Sequence, residues 1–507
     1  MPDNTHDPYT IRDGEAHPPP TNLWARMKYL GPSIIISGSI VGSGELILTS
    51  SLGAAAGFTL LWWMLVGCWS KSLVQAEISR YVIVSGDTYL RAINRIPGRI
   101  WKVSWPIWIG LIGFIPGIMG MGGIVGGAGQ ALHLLAPAVD ARWAALGVAL
   151  VAIVILNAGS YKWLERIMLV LVMGFTAATL ICSIAMQFTD FSTTPAEFLS
   201  GFTFKFPIEF AAIALAAYGY TGVNSGEIAS YTYWCVEKGY PSFLGANRDD
   251  PNWPTHARGW IKVLQTDVWL TLAILTCATL PYYILGAGVL NEMGERPSGP
   301  ETIEVLSNMF TQTLGPWAVW LFGFGAFFIL FSTVISGIGG GGRFIPDYLI
   351  EMGFFERTNL AARQACIRVY VSVIPIVGFL IYMWVENPVL LIMIGGLTVA
   401  VTTPIQTGCT IWLQARRMDQ RILPGMPARV GLWAIFLFQL SIAGFVAWFV
   451  VLKPNLERSD EARHIIEPRT VVVASSPIRE NWDSPLVNSS SFWETGYETS
   501  TKSKLPW

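Results

Sequence analysis

The sequence predicts an all-α integral membrane protein with about eleven transmembrane helices. Of its 507 residues, 52% are hydrophobic and only 13% are charged, whereas charged residues make up about a quarter of an ordinary soluble protein. The apolar residues fall in continuous runs long enough for a bilayer core of about 30 Å, which takes roughly 20 residues of α-helix. Runs of this kind exclude a β-barrel, whose strands alternate polar and apolar side chains over about ten residues.

Eleven apolar runs lie between charged or turn-forming stretches, and we number them as spans one to eleven. Their approximate limits are 31–56, 58–83, 105–135, 142–158, 164–188, 207–235, 262–290, 315–341, 367–385, 388–413 and 429–452. Spans one and six are interrupted by glycine and polar residues. The chain therefore divides into an amino-terminal tail (1–30), a membrane domain (31–452) and a polar tail (453–507) that we expect to be disordered.

The distribution of Lys and Arg predicts the orientation of the spans, because cytoplasmic loops of membrane proteins are enriched in both. Segments that would be cytoplasmic with an inside amino terminus carry 22 of the 33 basic residues, whereas the outer loops carry Arg142, Lys205 and Arg296. We therefore expect a cytoplasmic amino terminus and an external carboxyl terminus. We expect the membrane to be the inner (plasma) membrane of a bacterium.

Several classes of function are excluded. The balance of 33 basic and 34 acidic residues gives no positive field that would attract nucleic acid. The six cysteines are widely spaced and form no CxxC or Cys/His cluster, which argues against a zinc site. The glycine run at 337–342 lacks the GK(S/T) ending of a phosphate loop, so we expect no nucleotide. We find no catalytic constellation, and we expect neither an enzyme nor a bound cofactor.

A short internal repeat lies in the two interrupted spans. Span one contains VGSGEL from Val41, and span six contains VNSGEI from Val223, 182 residues later. Five spans fit in one period, and because five is odd the second unit begins on the opposite side of the membrane. This predicts a five-plus-five inverted repeat, with units at about 31–188 and 207–413 and an extra helix at 429–452. In such folds, broken helices place the binding site at the bilayer midplane.

The repeated motif has the composition of a helix break. Glycine weakens a helix by about 1 kcal/mol relative to alanine, and Ser and Asn offer the backbone competing hydrogen bonds. Unwound backbone within a membrane must be buried in protein or line a cavity, where its carbonyl groups can coordinate a cation. The expected helix-breaking residues are Gly44, Gly222 and Gly226, with Gly42 beside them.

Each copy of the motif also carries one glutamate. A carboxylate in mid-membrane costs roughly 2.5–3.5 kcal/mol, so a pair of them implies a compensating positive group. We expect an all-oxygen cation site. Its expected ligands are Glu45, Glu227, Gly42, Ser43, Asn224 and Ser225. Two alternatives remain open: each glutamate could be a neutral or backbone-bonded structural brace, or the pair could carry protons.

Two other polar residues lie within predicted spans and could contribute to this site. Lys71 lies near the middle of span two, too deep to reach either surface, and could form a salt bridge to a site glutamate or an ion pair with Glu77. Gln406, two residues after Pro404 in span ten, could complete the coordination shell or bond to a neighbouring helix.

Several motifs resemble the Nramp family of divalent-metal transporters. They are GP at 31–32, GFTLLW at 57–62, YKWLER at 161–166 and FSTVISG at 331–337, which are similar to that family's GP, GYTLLW, entry to span five and QSSTITG. The likeness extends weakly over all eleven spans. It implies the five-plus-five, LeuT-like fold and import of a divalent metal.

The chain departs from that family at the metal-binding motifs. It has GSGE at 42–45 in place of DPGN, and VNS at 223–225, or NSG one residue later, in place of MPH. Neither alignment restores the Met or the His. The sequence is therefore more similar to the divergent Nramp-related branches, which include magnesium transporters.

We therefore expect a secondary transporter that imports a divalent cation, Mg²⁺ or Mn²⁺, by alternating access, with the cation as substrate and the lipid bilayer as environment. Weak or absent proton coupling is expected, because the family's acid and histidine are replaced and 105–136 contains no Asp or Glu. Alternatives are a same-fold symporter of a small organic solute such as an amino acid, or a cation channel. Two glutamates would repel a substrate carboxylate, and no filter-like segment is present.

Overall fold

The apolar runs form long helices packed into one bundle. The computed structural model describes residues 9, 16–30, 42–159, 162–245 and 247–448. Among these residues, nine helices are long and apolar enough to cross a membrane; one of them, Gly44–Ser85, comprises spans one and two, and the divided span six is not among the nine. The predicted tail at 453–507, the Gly-Pro at 31–32 and Tyr161 lie outside the described residues.

The helices are numbered in chain order. They are α1 (Leu23–Met27), α2 (Ser50–Ala56), α3 (Leu61–Ser85), α4 (Tyr89–Ile93), α5 (Trp105–Leu135), α6 (Ala141–Ala158), α7 (Lys162–Ala185), α8 (Pro195–Ser200), α9 (Ala211–Tyr220), α10 (Ser225–Glu237), α11 (Tyr240–Leu244), α12 (Trp253–Leu285), α13 (Thr302–Leu314), α14 (Ala318–Glu351), α15 (Leu360–Val385), α16 (Pro388–Arg417) and α17 (Met426–Val446). π-Helical segments lie at Gly44–Thr49 and Gly286–Leu290, and short 3₁₀ turns at Gly57–Leu60, Met186–Phe188, Ile208–Phe210, Gly299–Glu301 and Gln420–Ile422. A two-stranded antiparallel ribbon pairs β1 (Arg99–Ile100) with β2 (Val103–Ser104).

These elements correspond to the predicted spans in order. Span one is the π-helical segment with α2, and span two is α3. Spans three, four and five are α5, α6 and α7, and span six is divided between α9 and α10. Spans seven to eleven are α12, α14, α15, α16 and α17.

Helix α5 lies at the centre of the bundle and packs against α6, α14, α15 and α16. Its glycines allow this close approach, as is common where membrane helices meet. A Cβ added at Gly126 would lie 2.0 Å from the ring of Tyr382 on α15, and one at Gly123 would lie 2.7 Å from the carbonyl oxygen of Pro388. The glycine-rich sequence of α5 therefore serves helix packing.

Helices α9 and α16 also touch backbone to backbone. A Cβ on Gly219 would lie 1.9 Å from the carbonyl oxygen of Gly396, and a Cβ on Gly396 would lie 2.4 Å from the carbonyl oxygen of Ala216. Because the obstructing atoms are main chain, no side-chain rotation can make room. This contact places the end of α9 firmly against span ten.

We expect Gly219→Ala to destabilise the fold, by roughly 1–3 kcal/mol or more, because the added methyl must displace the backbone of α16. The matched control is Gly174→Ala on α7, where an added Cβ meets no atom within 4 Å. Thermal unfolding of the two purified variants checks this prediction. A Gly219→Ala melting temperature equal to that of the control would contradict the packing.

A buried polar cluster joins four segments at one end of the bundle. Asp347 on α14 forms an ion pair with Arg363 on α15. Its second oxygen accepts hydrogen bonds from the hydroxyls of Thr88 (2.9 Å) and Tyr233 (2.6 Å). Because Asp347 is fully buried, its negative charge is stabilised by these partners and not by water.

Candidate functional site

Span six is interrupted where the sequence predicts. Helix α9 ends at Tyr220, and α10 begins at Ser225. Between them Gly222 has φ of +69°, in the left-handed region that glycine adopts without a steric penalty. The prediction for Gly222 therefore matches the structure.

The other two predicted helix-breaking glycines lie within helices. Gly226 is in the first turn of α10, and Gly44 begins the π-helical segment of span one. Gly226 stays helical because a capping box provides hydrogen-bond acceptors for backbone N–H groups at the start of α10. Gly44 allows the backbone of span one to lie close to the end of α9, since a Cβ at this position would lie 3.0 Å from the carbonyl oxygen of Tyr220.

The capping box places Glu227 at the start of α10. The Asn224 side chain accepts a hydrogen bond from the Glu227 N–H (3.0 Å), and the Glu227 carboxylate accepts one from the Asn224 N–H (2.9 Å). A negative side chain at a helix amino terminus is also stabilised by the helix dipole. The capping box therefore fixes the position of the Glu227 side chain, whose carboxylate is bonded to the backbone N–H of Asn224.

Glu45 occupies a different environment from Glu227. It is fully buried, and its carboxylate accepts hydrogen bonds from the N–H groups of Gly222 (3.0 Å) and Gly42 (3.3 Å). A second link nearby joins the hydroxyls of Thr49 and Thr221 at 3.1 Å. Glu45 therefore connects span one to the interruption of span six.

We expect Glu45→Gln to lower stability by about 1–3 kcal/mol, the cost of leaving a buried donor unsatisfied. The amide nitrogen of Gln cannot accept from a backbone N–H, so one of the two glycine amides loses its partner. Thermal unfolding with and without the substitution measures this loss. A variant that unfolds like wild type would exclude the bracing role.

Lys71 forms neither of the two ion pairs considered from the sequence. Its ammonium donates hydrogen bonds to the carbonyl oxygens of Tyr218 (2.5 Å), Gly219 (3.2 Å) and Thr221. Glu77 instead pairs with Arg80 at 3.0 Å. Both expectations for Lys71 were wrong, because main-chain carbonyls at the end of α9 provide its acceptors.

A cavity of about 290 Å³ lies beside the interruption of span six. From the predicted site it is lined by Ser43, Gly44, Asn224, Ser225, Gly226, Glu227 and Gln406. Gly42, Glu45 and Lys71 are not part of its wall. The structure thus brings the span-six residues of the predicted site, together with Ser43 and Gly44 of span one, to the cavity, whereas the span-one glutamate is not part of its wall.

Much of the remaining wall is aromatic, which the sequence reasoning missed. The aromatic residues include Tyr89, Phe114, Tyr220, Trp234, Phe344 and Tyr370. They come from distant parts of the chain, so the sequence offers only one local signal: Tyr220 stands two residues before Gly222.

Gln406 bonds to neighbouring segments, which is one of the two roles considered for it, and its role as a cation ligand stays a prediction. Its side-chain amide donates to the Tyr89 hydroxyl (2.9 Å) and to the Ser225 carbonyl oxygen (3.2 Å). Its own carbonyl oxygen is buried and has no partner within the described part of the chain. An unsatisfied acceptor on the cavity wall is a suitable ligand for a cation or a donor group.

The donor set is dominated by neutral oxygen. Within the described residues, no group of three His, Cys, Asp or Glu side chains comes together as a metal cluster. A cation in the cavity would meet the Glu227 carboxylate together with oxygens of Asn224, Ser225 and Gln406. Such a set suits a hard ion that keeps part of its hydration shell.

The divided sixth span and the cavity beside it are typical of membrane transporters with a five-plus-five inverted-repeat fold. Residues 33–449 match the Nramp model, described as natural resistance-associated macrophage protein-like. The chain belongs to the Nramp family. No curated protein sequence matches it.

Solved structures support the same fold. The Eremococcus coleocola manganese transporter, in complex with an aromatic bis-isothiourea substituted compound, has 16% identity and a TM-score of 0.61, covering 90% of this chain and 94% of its own. MhsT in complex with L-phenylalanine has 14% identity and a TM-score of 0.50, covering 81% and 98%. Mhp1 in its inward-facing conformation has 12% identity and a TM-score of 0.50, covering 86% and 94%. The predicted family and fold class are confirmed.

Proposed function

We propose that this protein is a secondary transporter that imports a divalent cation, Mg²⁺ or Mn²⁺, by alternating access. The observation that carries the proposal is Glu227, a carboxylate fixed by a capping box on the wall of a cavity at a divided helix. Membership of the Nramp family supports it. The manganese transporter named above shares the fold and supports it further.

The oxygen-rich ligand set favours a hard ion. Mg²⁺ usually contacts one or two carboxylates and retains several waters, which a cavity of about 290 Å³ can accommodate. The Met of the family's span-six motif is replaced here, although Met121 on α5 lies elsewhere in the wall. Mn²⁺ also accepts oxygen ligands and binds a given site more tightly than Mg²⁺ does. Both ions are therefore proposed substrates.

The orientation inferred from Lys and Arg relates the cavity to one side of the membrane. Tyr89, Ile93 and Ile107, which follow span two or begin span three, contribute to the cavity wall. With a cytoplasmic amino terminus, this is the cytoplasmic side. We infer a conformation in which the site communicates with the cytoplasm, and import then requires a second conformation that exposes it to the outside.

Uptake of each ion into liposomes containing the purified protein tests the proposal. We expect Mn²⁺ uptake that millimolar Mg²⁺ reduces, because both ions compete for the same hard-oxygen ligands. Protein-free liposomes provide the background. Mn²⁺ uptake undiminished by a large excess of Mg²⁺ would exclude Mg²⁺ as a substrate, and no uptake of either ion would exclude the proposal.

We expect metal uptake with weak or no accompanying proton flux. Helix α5 carries no Asp or Glu, and the chain lacks the family's Asp in span one and His in span six. A pH-sensitive dye inside the liposomes measures this directly during Mg²⁺ or Mn²⁺ uptake. Acidification that follows the metal in proportion would show that another group, such as Glu227, carries protons.

The aromatic wall favours a second candidate, a symporter of a small organic solute. Tyr89, Tyr220 and Trp234 line the same cavity as the Glu227 carboxylate, and aromatic rings together with a carboxylate can attract an organic cation. An amino acid would bring its own carboxylate towards Glu227. The melting temperature of the purified protein with alkylamines, amino acids, Mg²⁺ or Mn²⁺ separates the two candidates. An organic-solute symporter should be stabilised by an alkylamine or an amino acid. A metal transporter should be stabilised by Mg²⁺ or Mn²⁺ and not by the organic solutes.

A further inference from the structure

The carbonyl groups that end α9 bind the ammonium of Lys71. Lys71 is fully buried on α3. Its three N–H donors are matched by three carbonyl oxygens, those of Tyr218, Gly219 and Thr221. The last carbonyls of a helix lack intrahelical partners and carry the negative end of the helix dipole, so they attract a cation.

In transporters with broken helices, freed carbonyls of this kind coordinate a coupling ion such as Na⁺. We propose that the Lys71 ammonium permanently occupies the monovalent cation position at the interruption of span six. The protein thus supplies this cation itself and completes its transport cycle without binding Na⁺ or K⁺ there. This goes beyond the proposed transport of a divalent ion, which concerns the neighbouring cavity.

Lys71 and Glu45 bind the same peptide group, from opposite sides. Lys71 binds the carbonyl oxygen of Thr221, and Glu45 binds the N–H of Gly222 at 3.0 Å. These two atoms belong to the peptide bond between Thr221 and Gly222. An ammonium and a carboxylate therefore hold opposite sides of the same peptide, at the residue where the chain enters its left-handed conformation.

This clamp determines where the next residues lie. Asn224 follows Gly222 by two positions and, with Glu227, forms the capping box on the cavity wall. Lys71 is consequently a positioning residue: it lies outside the cavity and acts through residues 221–224. Among the described residues, no carboxylate is ion-paired with it, and its ammonium lies 5.1 Å from the centre of the Tyr218 ring.

Lys71→Ala tests the proposal, because it removes the ammonium and leaves the three carbonyls with space for a cation. We expect its melting temperature to fall in a buffer whose only monovalent cation is N-methylglucamine. Na⁺, K⁺ or n-propylammonium should then raise it by a few degrees in a saturable manner. Wild type should show no such shift at equal ionic strength.

Lys71→Met is the matched control, since its apolar side chain fills the same space and carries no charge. We expect it to be destabilised and not rescued by any of the three cations. Equal responses of Lys71→Ala, Lys71→Met and wild type would overturn the proposal. These readouts use no divalent metal, so their failure is distinguishable from failure of the transport function.

Wild type provides a test that does not require a variant to fold. Its melting temperature, and its uptake of whichever divalent ion is transported, should be the same when N-methylglucamine replaces all Na⁺ and K⁺. A requirement of the wild-type protein for either ion would overturn the proposal.

Discussion

Replacing Glu227 with glutamine is expected to reduce divalent-metal uptake by roughly 100-fold. Substitution of residues that merely support metal ligands costs about 10–100-fold in affinity, and Glu227 is itself a proposed ligand. Its side chain is the acid of the span-six motif on the cavity wall. The effect should appear in the initial rate of Mg²⁺ or Mn²⁺ uptake into liposomes.

Glutamine is a suitable replacement because it preserves the local structure. Glu and Gln both complete a capping box at this helix position, so the bond to the Asn224 N–H can remain while the charge is lost. The melting temperature of Glu227→Gln should therefore stay close to that of wild type. A large fall in stability would mean that transport is lost through unfolding.

The chain offers a matched control for this substitution. Thr194 and Glu197 form the same capping box at the start of α8, where the Glu197 carboxylate accepts from the Thr194 N–H at 2.7 Å. That bond lowers the pKa of Glu197, and the residue is solvent-exposed. We expect Glu197→Gln to transport like wild type. If Glu227→Gln also does so, Glu227 is not a metal ligand.

Replacing Asp347 with asparagine is expected to lower the free energy of unfolding by about 3–5 kcal/mol, the usual cost of removing one partner of a buried ion pair. The change leaves the buried Arg363 guanidinium without its carboxylate. The hydroxyls of Thr88 and Tyr233 donate to one carboxylate oxygen of Asp347. In asparagine that oxygen can be replaced by an NH₂ group, which cannot accept these hydrogen bonds. Chemical or thermal unfolding measures the loss.

Two comparisons identify the cause of that loss. Asp419→Asn removes the acid of a more exposed pair, in which the Arg421 side chain is 46% accessible, and should cost less than about 1 kcal/mol. Combining Asp347→Asn with Arg363→Gln should cost less than the sum of the two single changes, because the double variant leaves no unpaired charge. Strict additivity would show that the pair is not coupled.

The two glutamates of the repeated motif show what the sequence can predict about the site. Their similar context in VGSGEL and VNSGEI predicts equivalent roles. In the structure Glu45 braces the backbone of Gly222 and Gly42, whereas Glu227 lies on the cavity wall. The two copies of the motif therefore lie in different surroundings, which suit a brace at Glu45 and a cation ligand at Glu227. Their functional roles remain predictions.

Lys71 shows a second limit of sequence reasoning. Its depth within span two correctly predicts that a buried charge needs compensation. The compensation comes from main-chain carbonyls, which every residue possesses, so no residue type in the sequence marks them. Acidic residue types therefore do not reveal the partners of Lys71.

The sequence by itself determined the membrane location, the helical fold with its spans, the family and the interruption at Gly222. These features are local, because a chain in lipid must satisfy its backbone hydrogen bonds within each span and glycine alone adopts the left-handed conformation at low cost. The tertiary structure decided which glutamate reaches the cavity, what binds Lys71 and how the aromatic wall forms. Those features depend on contacts between residues far apart in the chain, such as Lys71 and Tyr218, which are 147 positions apart, and no local pattern encodes them.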